Sequence, residues 1–341
     1  MAEFLRDHTT LRLGGPARDW VRAETQKDLI EAVRRADDAG GPVLVLGGGS
    51  NLVVADEGFE GTVVEVATRG VSPDTEDAVA CGGVLVTVAA GESWDALVAT
   101  AVDRGWVGIE ALSGIPGSVG ATPIQNVGAY GQEVSQTIAQ VRVWDRTLRG
   151  VRTFAAADCS FGYRTSRFKA DPGRHVVLDV TFQLPLGPLG APVQYAELAR
   201  TLGVEPGQRA PLAAVREAVL GLRRGKGMVL DRADHDTWSA GSFFTNPVVP
   251  ADRVPDGAPA WPASDGLVKT SAAWLIEHAG FGKGYGAGPV TLSTKHTLAL
   301  TNRGNATTAD LLALAREVRD GVESAFGIRL VNEPTLVDCH L

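Results

Sequence analysis

The sequence predicts an α+β protein, on three observations. A helical period followed by a buried strand makes an α/β start between Thr25 and Leu46; strand-like runs from Ala139 to Leu184 follow one another as an antiparallel region; and two helical segments stand near the end, Ser271 to His278 and Leu311 to Phe326.

Thr25 followed by Leu29, Ile30, Val33 and Ala36 reads as an N-capped amphipathic helix ending near Gly40-Gly41, and Val43 to Leu46 as a buried strand. Thr62 to Val66 and Val84 to Ala89, rich in Val and bounded by Gly, read as strands, and Ser93 to Arg104 as a helix. Gly105 to Gly131 has no sustained period, is dense in Gly, Pro and Ser and carries few charges, which fits an ordered, ligand-lining loop. Strands are expected at Ala139 to Asp145, Val151 to Ala155 and His175 to Leu184, before Pro185 to Pro192 breaks the pattern. Pro211 to Arg224 looks helical, and Asp252 to Asp265 is expected to be an exposed loop. The helix Ser271 to His278 is stopped by Gly280, and Thr307 with Asp310 makes a capping-box-like start for Leu311 to Phe326, whose Leu311, Leu314, Ala315, Val318 and Val322 share one face.

Composition narrows the function. With 341 residues, 44% of them hydrophobic, the chain can bury more than one core. The start Ala2-Glu3-Phe4-Leu5-Arg6-Asp7 lacks a basic n-region and an apolar stretch of the kind that marks secretion. No apolar run approaches the roughly 20 residues that cross a bilayer, so a soluble protein is expected. Cys81, Cys159 and Cys339 form neither a disulfide framework nor a CxxC pattern, which fits a reducing cytoplasm. A formal charge of −8 and a pI near 5.3 argue against a broad nucleic-acid face, although Arg223-Arg224-Gly225-Lys226 could hold a small anion. His235, His278, His296 and His340 are scattered and read as core or surface residues, and no metal is expected. No repeat or low-complexity tract is visible.

Two glycine-dense segments carry the chemistry. Gly47-Gly48-Gly49-Ser50-Asn51 follows a buried strand, where backbone N–H groups unobstructed by Cβ atoms can converge on a phosphate oxygen. Taken alone it reads equally well as a tight turn between strands. Gly114-Ile115-Pro116-Gly117-Ser118-Val119-Gly120-Ala121 leads into Gln125-Asn126-Val127-Gly128-Ala129-Tyr130-Gly131, and two such loops suit a pyrophosphate. Neither has the G-x-G-x-x-G spacing at a helix start, and Gly221 to Gly227 fails the P-loop pattern because Gly follows Lys226. Pro116 stands where the nucleophile-elbow pattern around Ser118 needs Gly, which excludes the usual serine-hydrolase arrangement.

From His8 to Glu333 the chain resembles the UDP-N-acetylenolpyruvoylglucosamine reductases. The resemblance rests on His8-Thr9-Thr10, LGGGSN at 46 to 51, GIPGSVGATPIQNVGAYG at 114 to 131, FGYRTSRFK at 161 to 169, GSFFTNP at 241 to 247 and NEP at 332 to 334. It implies an FAD-binding fold of the vanillyl-alcohol-oxidase (PCMH) type, made of two subdomains, with a C-terminal α+β domain for substrate. The corresponding segments are 1–67, 68–210 and 211–328, with 329–341 returning to the FAD domains.

The resemblance also implies the cofactors and site. FAD is expected against Leu46, Gly47, Gly48, Gly49, Ser50 and Asn51 and against Gly114, Ile115, Pro116, Gly117, Ser118, Gly120, Ala121, Gln125, Asn126, Gly128, Ala129 and Tyr130, with Arg223 near the flavin. NADPH is the expected hydride donor and UDP-N-acetylglucosamine enolpyruvate the acceptor. Arg164, Ser242 and Glu333 fall on the catalytic positions. Hydride addition to an enolpyruvyl ether builds negative charge beside its carboxylate, which an arginine can stabilise bidentately; a serine hydroxyl can protonate the carbanionic centre, and Glu333 can orient it or join the proton transfer. Tyr195 matches the tyrosine that closes over the UDP-sugar in one subtype, Lys226 a diphosphate contact and Asn246 a nucleotide contact. Gly227-Met228 departs from the proline-bearing sequence expected after that lysine. A cytoplasmic monomer is expected. An oxygen-using FAD oxidase of the same fold and a non-catalytic UDP-sugar or flavin binder are the alternatives; GSFF and NEP oppose the first, intact Arg164, Ser242 and Glu333 the second.

Overall fold

Thr25 starts the first helix, Gln26–Asp38, with an extended backbone and a side-chain oxygen that accepts the Asp28 N–H. That cap satisfies a donor that the first turn otherwise leaves without a helical acceptor. The computed structural model describes residues 3–74 and 83–341, so Cys81 lies outside the described residues. These residues form two compact units, one built from 18–48 and 60–224, the other from 1–17, 49–59 and 225–341. The expected segment 68–210 falls within the unit of 18–48 and 60–224, whereas 1–67 and 211–328 are each shared between the two units, and 329–341 belongs to the other unit.

In the unit of 18–48 and 60–224, the helix buries Leu29, Ala32, Val33 and Ala36 with Val64, Trp144, Val176 and Leu178. Val43–Leu46 pairs in parallel with Phe59–Val66, Val43 opposite Thr62, and Ala17–Ala23 flanks the far side of that strand. A second, antiparallel sheet runs in the order Gly150–Ala155, Ile138–Asp145, His175–Leu184, Val84–Ala89, Val71–Asp74. Its central strand His175–Leu184 is buried on both faces over most of its length, with Asp179 and Thr181 among the buried residues, and a register shift between Val177 and Asp179 changes which residues face each side. Val177, Val180 and Phe182 join Val84, Val86, Val88 and the fully buried Trp94 in one core.

The glycine-rich stretch after the helix Trp94–Asp103 is ordered by two 3-10 turns, Glu110–Leu112 and Val119–Ala121. Three helices follow, Arg167–Ala170, Ala196–Leu202 and Leu212–Gly225. Only the last of these was expected from the sequence.

In the other unit, Thr307 and Asp310 form the reciprocal capping box expected at the head of Thr308–Phe326. Its buried face, Leu311, Leu314, Ala315, Val318 and Val322, packs with Ala272, Leu275 and Ile276 of the helix Ala272–His278. Leu11, Leu13 and Val53 join the same core. The expected loop 252–265 is exposed but contains the edge strand Ala260–Pro262, which pairs with Leu267–Thr270, as does Val248–Pro250 on the other side. Two further pairings are Val290–Leu292 with Leu300–Asn302, antiparallel, and Leu52–Val54 with Thr335–Val337, parallel. Among the described residues no helix is long and apolar enough to cross a membrane, and Cys159 and Cys339 are free thiols.

Candidate active site

The two glycine loops meet backbone to backbone in the unit of 18–48 and 60–224. A Cβ on Gly48 would lie 2.6 Å from the Cα of Gly117, and one on Gly47 would lie 2.5 Å from the Ser118 Oγ. Only glycine allows that approach, so two runs of peptide dipoles lie side by side without side chains between them. Leu46, buried at the end of its strand, anchors the first loop. The second is held by Trp94, whose backbone N–H donates to the Gly117 carbonyl at 3.0 Å and whose indole N–H donates to the Leu112 carbonyl at 3.0 Å. Gly120 sits on Ala90, where a Cβ would come within 2.5 Å of the alanine side chain. Gly114 and Gly117 adopt φ of 73° and 115°. Ile115, Pro116 and Gln125 are half-buried, and Ala121 is exposed. A surface of closely apposed glycine backbone with the buried Ser118 beside it suits the diphosphate of FAD.

The first loop continues through Gly49 and the half-buried Ser50 into the unit of 1–17, 49–59 and 225–341. There Gly49 has φ 60°, and a Cβ on it would collide with the His8 carbonyl oxygen at 1.9 Å, while Thr10 N–H donates to the Gly49 carbonyl at 3.1 Å. His8-Thr9-Thr10 therefore braces the turn.

Arg164 is fixed by strained turns that lock together. Gly128–Ala129 pairs with Gln132–Glu133, leaving Tyr130 and Gly131 at the tip with φ of 52° and 86°, the two positive angles of a type I′ hairpin. Arg164 itself has φ 52°, as the third residue of the turn from Gly162 to Thr165, and Asn126 has φ 48°. Left-handed backbone costs each non-glycine residue about 1–3 kcal/mol and persists only where surroundings over-determine it. Here they do: the buried Asn126 donates through Nδ2 to Glu133 Oε2 at 2.8 Å and to the Gly162 carbonyl at 3.1 Å, and accepts the Ser135 N–H at 3.1 Å. The Arg164 guanidinium in turn donates from Nη2 to the Gly128 carbonyl at 2.7 Å and from Nη1 to the Asn126 carbonyl at 3.4 Å. The result is a fixed cation.

Tyr130 meets Tyr195 edge to face, with ring centroids 5.4 Å apart, and Tyr195 is 45% exposed at the head of Ala196–Leu202. Arg223, in the last turn of Leu212–Gly225, is drawn down to about 10 by desolvation, against the opposing pull of Tyr130 and Asp95. Burial raises the Asp95 carboxyl, but hydrogen bonds from Arg216 and the Gly114 amide and the nearby Arg223 outweigh it and hold the group below the usual carboxylate range. Lys226 follows the end of that helix.

In the unit of 1–17, 49–59 and 225–341, three backbone segments align Ser242, Glu333 and a residue the sequence reading passed over. Glu333 N–H donates to the Phe243 carbonyl at 2.8 Å, and Phe244 bridges Asn332, so the segment after Ser242 runs beside Asn332-Glu333. On its other edge, Phe243 N–H donates to the Leu298 carbonyl at 2.7 Å, and the turn holding Leu298 sets His296 Nε2 3.4 Å from Ser242 Oγ. His296 is thus neither a plain core nor a plain surface residue. Asn51 donates from Nδ2 to the Glu333 carbonyl at 3.5 Å and accepts Thr335 N–H on its own carbonyl at 3.0 Å. The Asn246 side-chain oxygen accepts the Ala272 N–H at 2.9 Å, at the start of Ala272–His278.

Four residues of this machinery were not foreseen: Asp95, Glu133, Arg216 and His296. Glu133 had a signal, a carboxylate two residues beyond the glycine-dense segment, and Asp95 another, an acid in the first turn of an expected helix. Arg216 and His296 are recognisable only through partners far away in the chain.

Family models match both parts of this machinery. Residues 19–150 match an FAD binding domain, and residues 232–337 match the C-terminal domain of UDP-N-acetylenolpyruvoylglucosamine reductase. The curated reductase of that name from Cutibacterium acnes is 61% identical over 336 residues, covering 98% of this chain and 89% of its own. That from Thermobifida fusca is 60% identical over 351 residues, covering 99% and 97%. Among solved structures, the UDP-N-acetylenolpyruvylglucosamine reductase of Thermus caldophilus superposes with a TM-score of 0.68 at 26% identity, covering 99% of this chain and 98% of its own. The α+β architecture with an FAD-binding domain is therefore as expected from the sequence.

Proposed function

Because this chain belongs to the UDP-N-acetylenolpyruvoylglucosamine reductase family and is a flavin-dependent oxidoreductase, we propose that it reduces UDP-N-acetylglucosamine enolpyruvate to UDP-N-acetylmuramate with NADPH as hydride donor. The reaction belongs to peptidoglycan precursor synthesis, and the enzyme acts in the cytoplasm as a monomer. The observation that carries the reading is the alignment of Ser242 and Glu333 through the bond between Glu333 N–H and the Phe243 carbonyl.

FAD, when bound, would supply the hydride that the vinyl carbon accepts. The chain's own residues do the rest. Arg164, held by the Asn126 and Gly128 carbonyls, offers a cation already oriented for the carboxylate whose neighbouring carbon gains charge, so little reorganisation is needed during reaction. Ser242 delivers the proton to that carbon, and Glu333 orients the intermediate. Gly47, Gly48, Gly114, Gly117 and Ser118 would hold the FAD diphosphate, and Asn51, Asn126 and Tyr130 would line the cofactor. Tyr195, exposed and hinged on Tyr130, closes over the nucleotide sugar, while Lys226 and Asn246 contact its diphosphate and nucleotide.

The test is NADPH oxidation followed by absorbance, anaerobically, with and without UDP-N-acetylglucosamine enolpyruvate. Multiple turnovers that depend on the sugar are expected. Stoichiometric flavin reduction without turnover would point to another acceptor.

A further inference from the structure

We propose that His296 is a positioning residue that activates Ser242 as proton donor and refills it after each turnover, an inference that rests on the Ser242 role proposed above. A serine hydroxyl is a weak acid, and donating its proton to carbon leaves an alkoxide that needs an immediate proton source. The His296 Nε2 is 3.4 Å from the Ser242 Oγ, within hydrogen-bond reach and needing only a few tenths of an ångström to tighten when substrate binds.

The turn that carries His296 is built to hold it still. The fully buried Ser293 accepts the Lys295 and His296 N–H groups on its hydroxyl oxygen at 3.0 and 3.3 Å, and its own N–H donates to the Ala299 carbonyl at 2.8 Å. The His296 carbonyl accepts Ala299 N–H at 3.0 Å, and the Leu298 carbonyl takes the N–H of Phe243, the residue after Ser242. Imidazole and hydroxyl are thus mounted on backbone segments bonded to each other. The charges around the turn include a Lys295–Asp234 ion pair, Asp236, which is bonded to Thr294 and paired with Arg303, Glu277, bonded to Thr297, and Glu333 across the Ser242 segment. Histidine is the side chain whose ordinary pKa lets it give and regain a proton near neutrality.

The step balances without an added oxidant or reductant. As the C–H bond forms at the carbon bearing the carboxylate, the Ser242 Oγ–H bond breaks; Oγ then takes the proton from His296 Nε2, and the imidazole regains one from solvent.

The experiment is stopped-flow measurement of both half-reactions in FAD-loaded His296→Gln and His296→Ala, with Ser242→Ala alongside. Flavin reduction by NADPH should match the parent in all three. Reoxidation by the enolpyruvyl sugar should fall roughly 10²-fold in both His296 variants, the range of a single acid–base contribution, and added imidazole should restore much of the rate to His296→Ala but not to Ser242→Ala. Parent-like reoxidation in His296→Gln would overturn the proposal, since an amide can hold the hydroxyl but cannot supply a proton. A His296→Ala defect that imidazole leaves untouched would also overturn it. Parent-like reoxidation in Ser242→Ala would instead sink the serine's own role.

Discussion

The Asp95 carboxylate grips both ends of one guanidinium and the start of a glycine loop at once: Arg216 donates from Nη1 and Nη2 at 2.7 and 3.0 Å, and Gly114 N–H donates at 2.6 Å. The helices Trp94–Asp103 and Leu212–Gly225 are therefore tied to the first residue of the second loop. Asp95→Ala should lower stability by about 1–2 kcal/mol, a charged hydrogen-bond contribution discounted for partial exposure, and should also lower the flavin content of the purified protein. Thermal unfolding and the ratio of flavin to protein absorbance measure both; unchanged flavin retention would remove Asp95 from the cofactor's support.

Gly48→Ala places a methyl group 2.6 Å from the Gly117 Cα, backbone that cannot swing aside. We expect FAD affinity to fall by at least about tenfold, because the two loops must move apart by about an ångström to reach ordinary van der Waals contact. Gly221→Ala is the matched control: its Cβ meets nothing within 4 Å, and inside a helix it should stabilise by about 0.5–1 kcal/mol. Flavin fluorescence titration compares the two variants directly.

Arg164→Lys keeps the charge but cannot span the carbonyls of Asn126 and Gly128 together. Turnover with the enolpyruvyl sugar should drop by roughly 10²–10³-fold, the usual cost of losing a preorganised charge-stabilising donor, with flavin content and flavin reduction by NADPH retained. Steady-state and single-turnover kinetics decide it, and a change in KM alone would reassign Arg164 to binding.

Ser242→Ala should leave flavin reduction by NADPH intact and block reoxidation by the sugar. Loss of both half-reactions together would show that the hydroxyl serves folding or FAD binding instead.

Acid should unfold the protein partly through Asp145. Hydrogen bonding from Arg174 lowers its pKa to about 2 against the opposing cost of burial, with help from the Leu148 amide. A depressed carboxylate contributes stability above its unfolded value near 3.9 and loses it as pH falls toward the folded value. Asp145→Asn should thus be less stable than the parent at pH 7, by roughly 1–2 kcal/mol, and should lose less as pH drops from about 4 to about 2. Denaturant titrations at pH 7, 4 and 3 would show the two curves converging; parallel curves would refute the assignment.

The parts legible in the sequence share one property: their signal is local. Thr25 and Thr307 announce their helices because a cap and its acceptor lie within three residues, and the glycine loops declare themselves because consecutive Cβ atoms are missing. What was not legible depends on partners far along the chain. Leu52–Val54 finds its neighbour at Thr335–Val337, too short and too distant to leave a period. Glu110 is 1% exposed, an unlikely address for a carboxylate until the Gly108 and Ala191 amides and the Gln132 side chain are seen around it. His296 was dismissed because its sequence neighbours offer it no chemistry; Ser242 lies 54 residues away.

The discontinuity of the two units sets an order of events during synthesis. Every residue of the 18–48 and 60–224 unit has been made once the ribosome passes Arg224. Leu11, Leu13 and Val53 emerge among the first residues, yet their core partners, from Ala240 to Leu330, come last. Through most of translation these early side chains face water, and a nascent chain stalled before the final helix Thr308–Phe326 would carry one finished unit and one apolar seed without its shell.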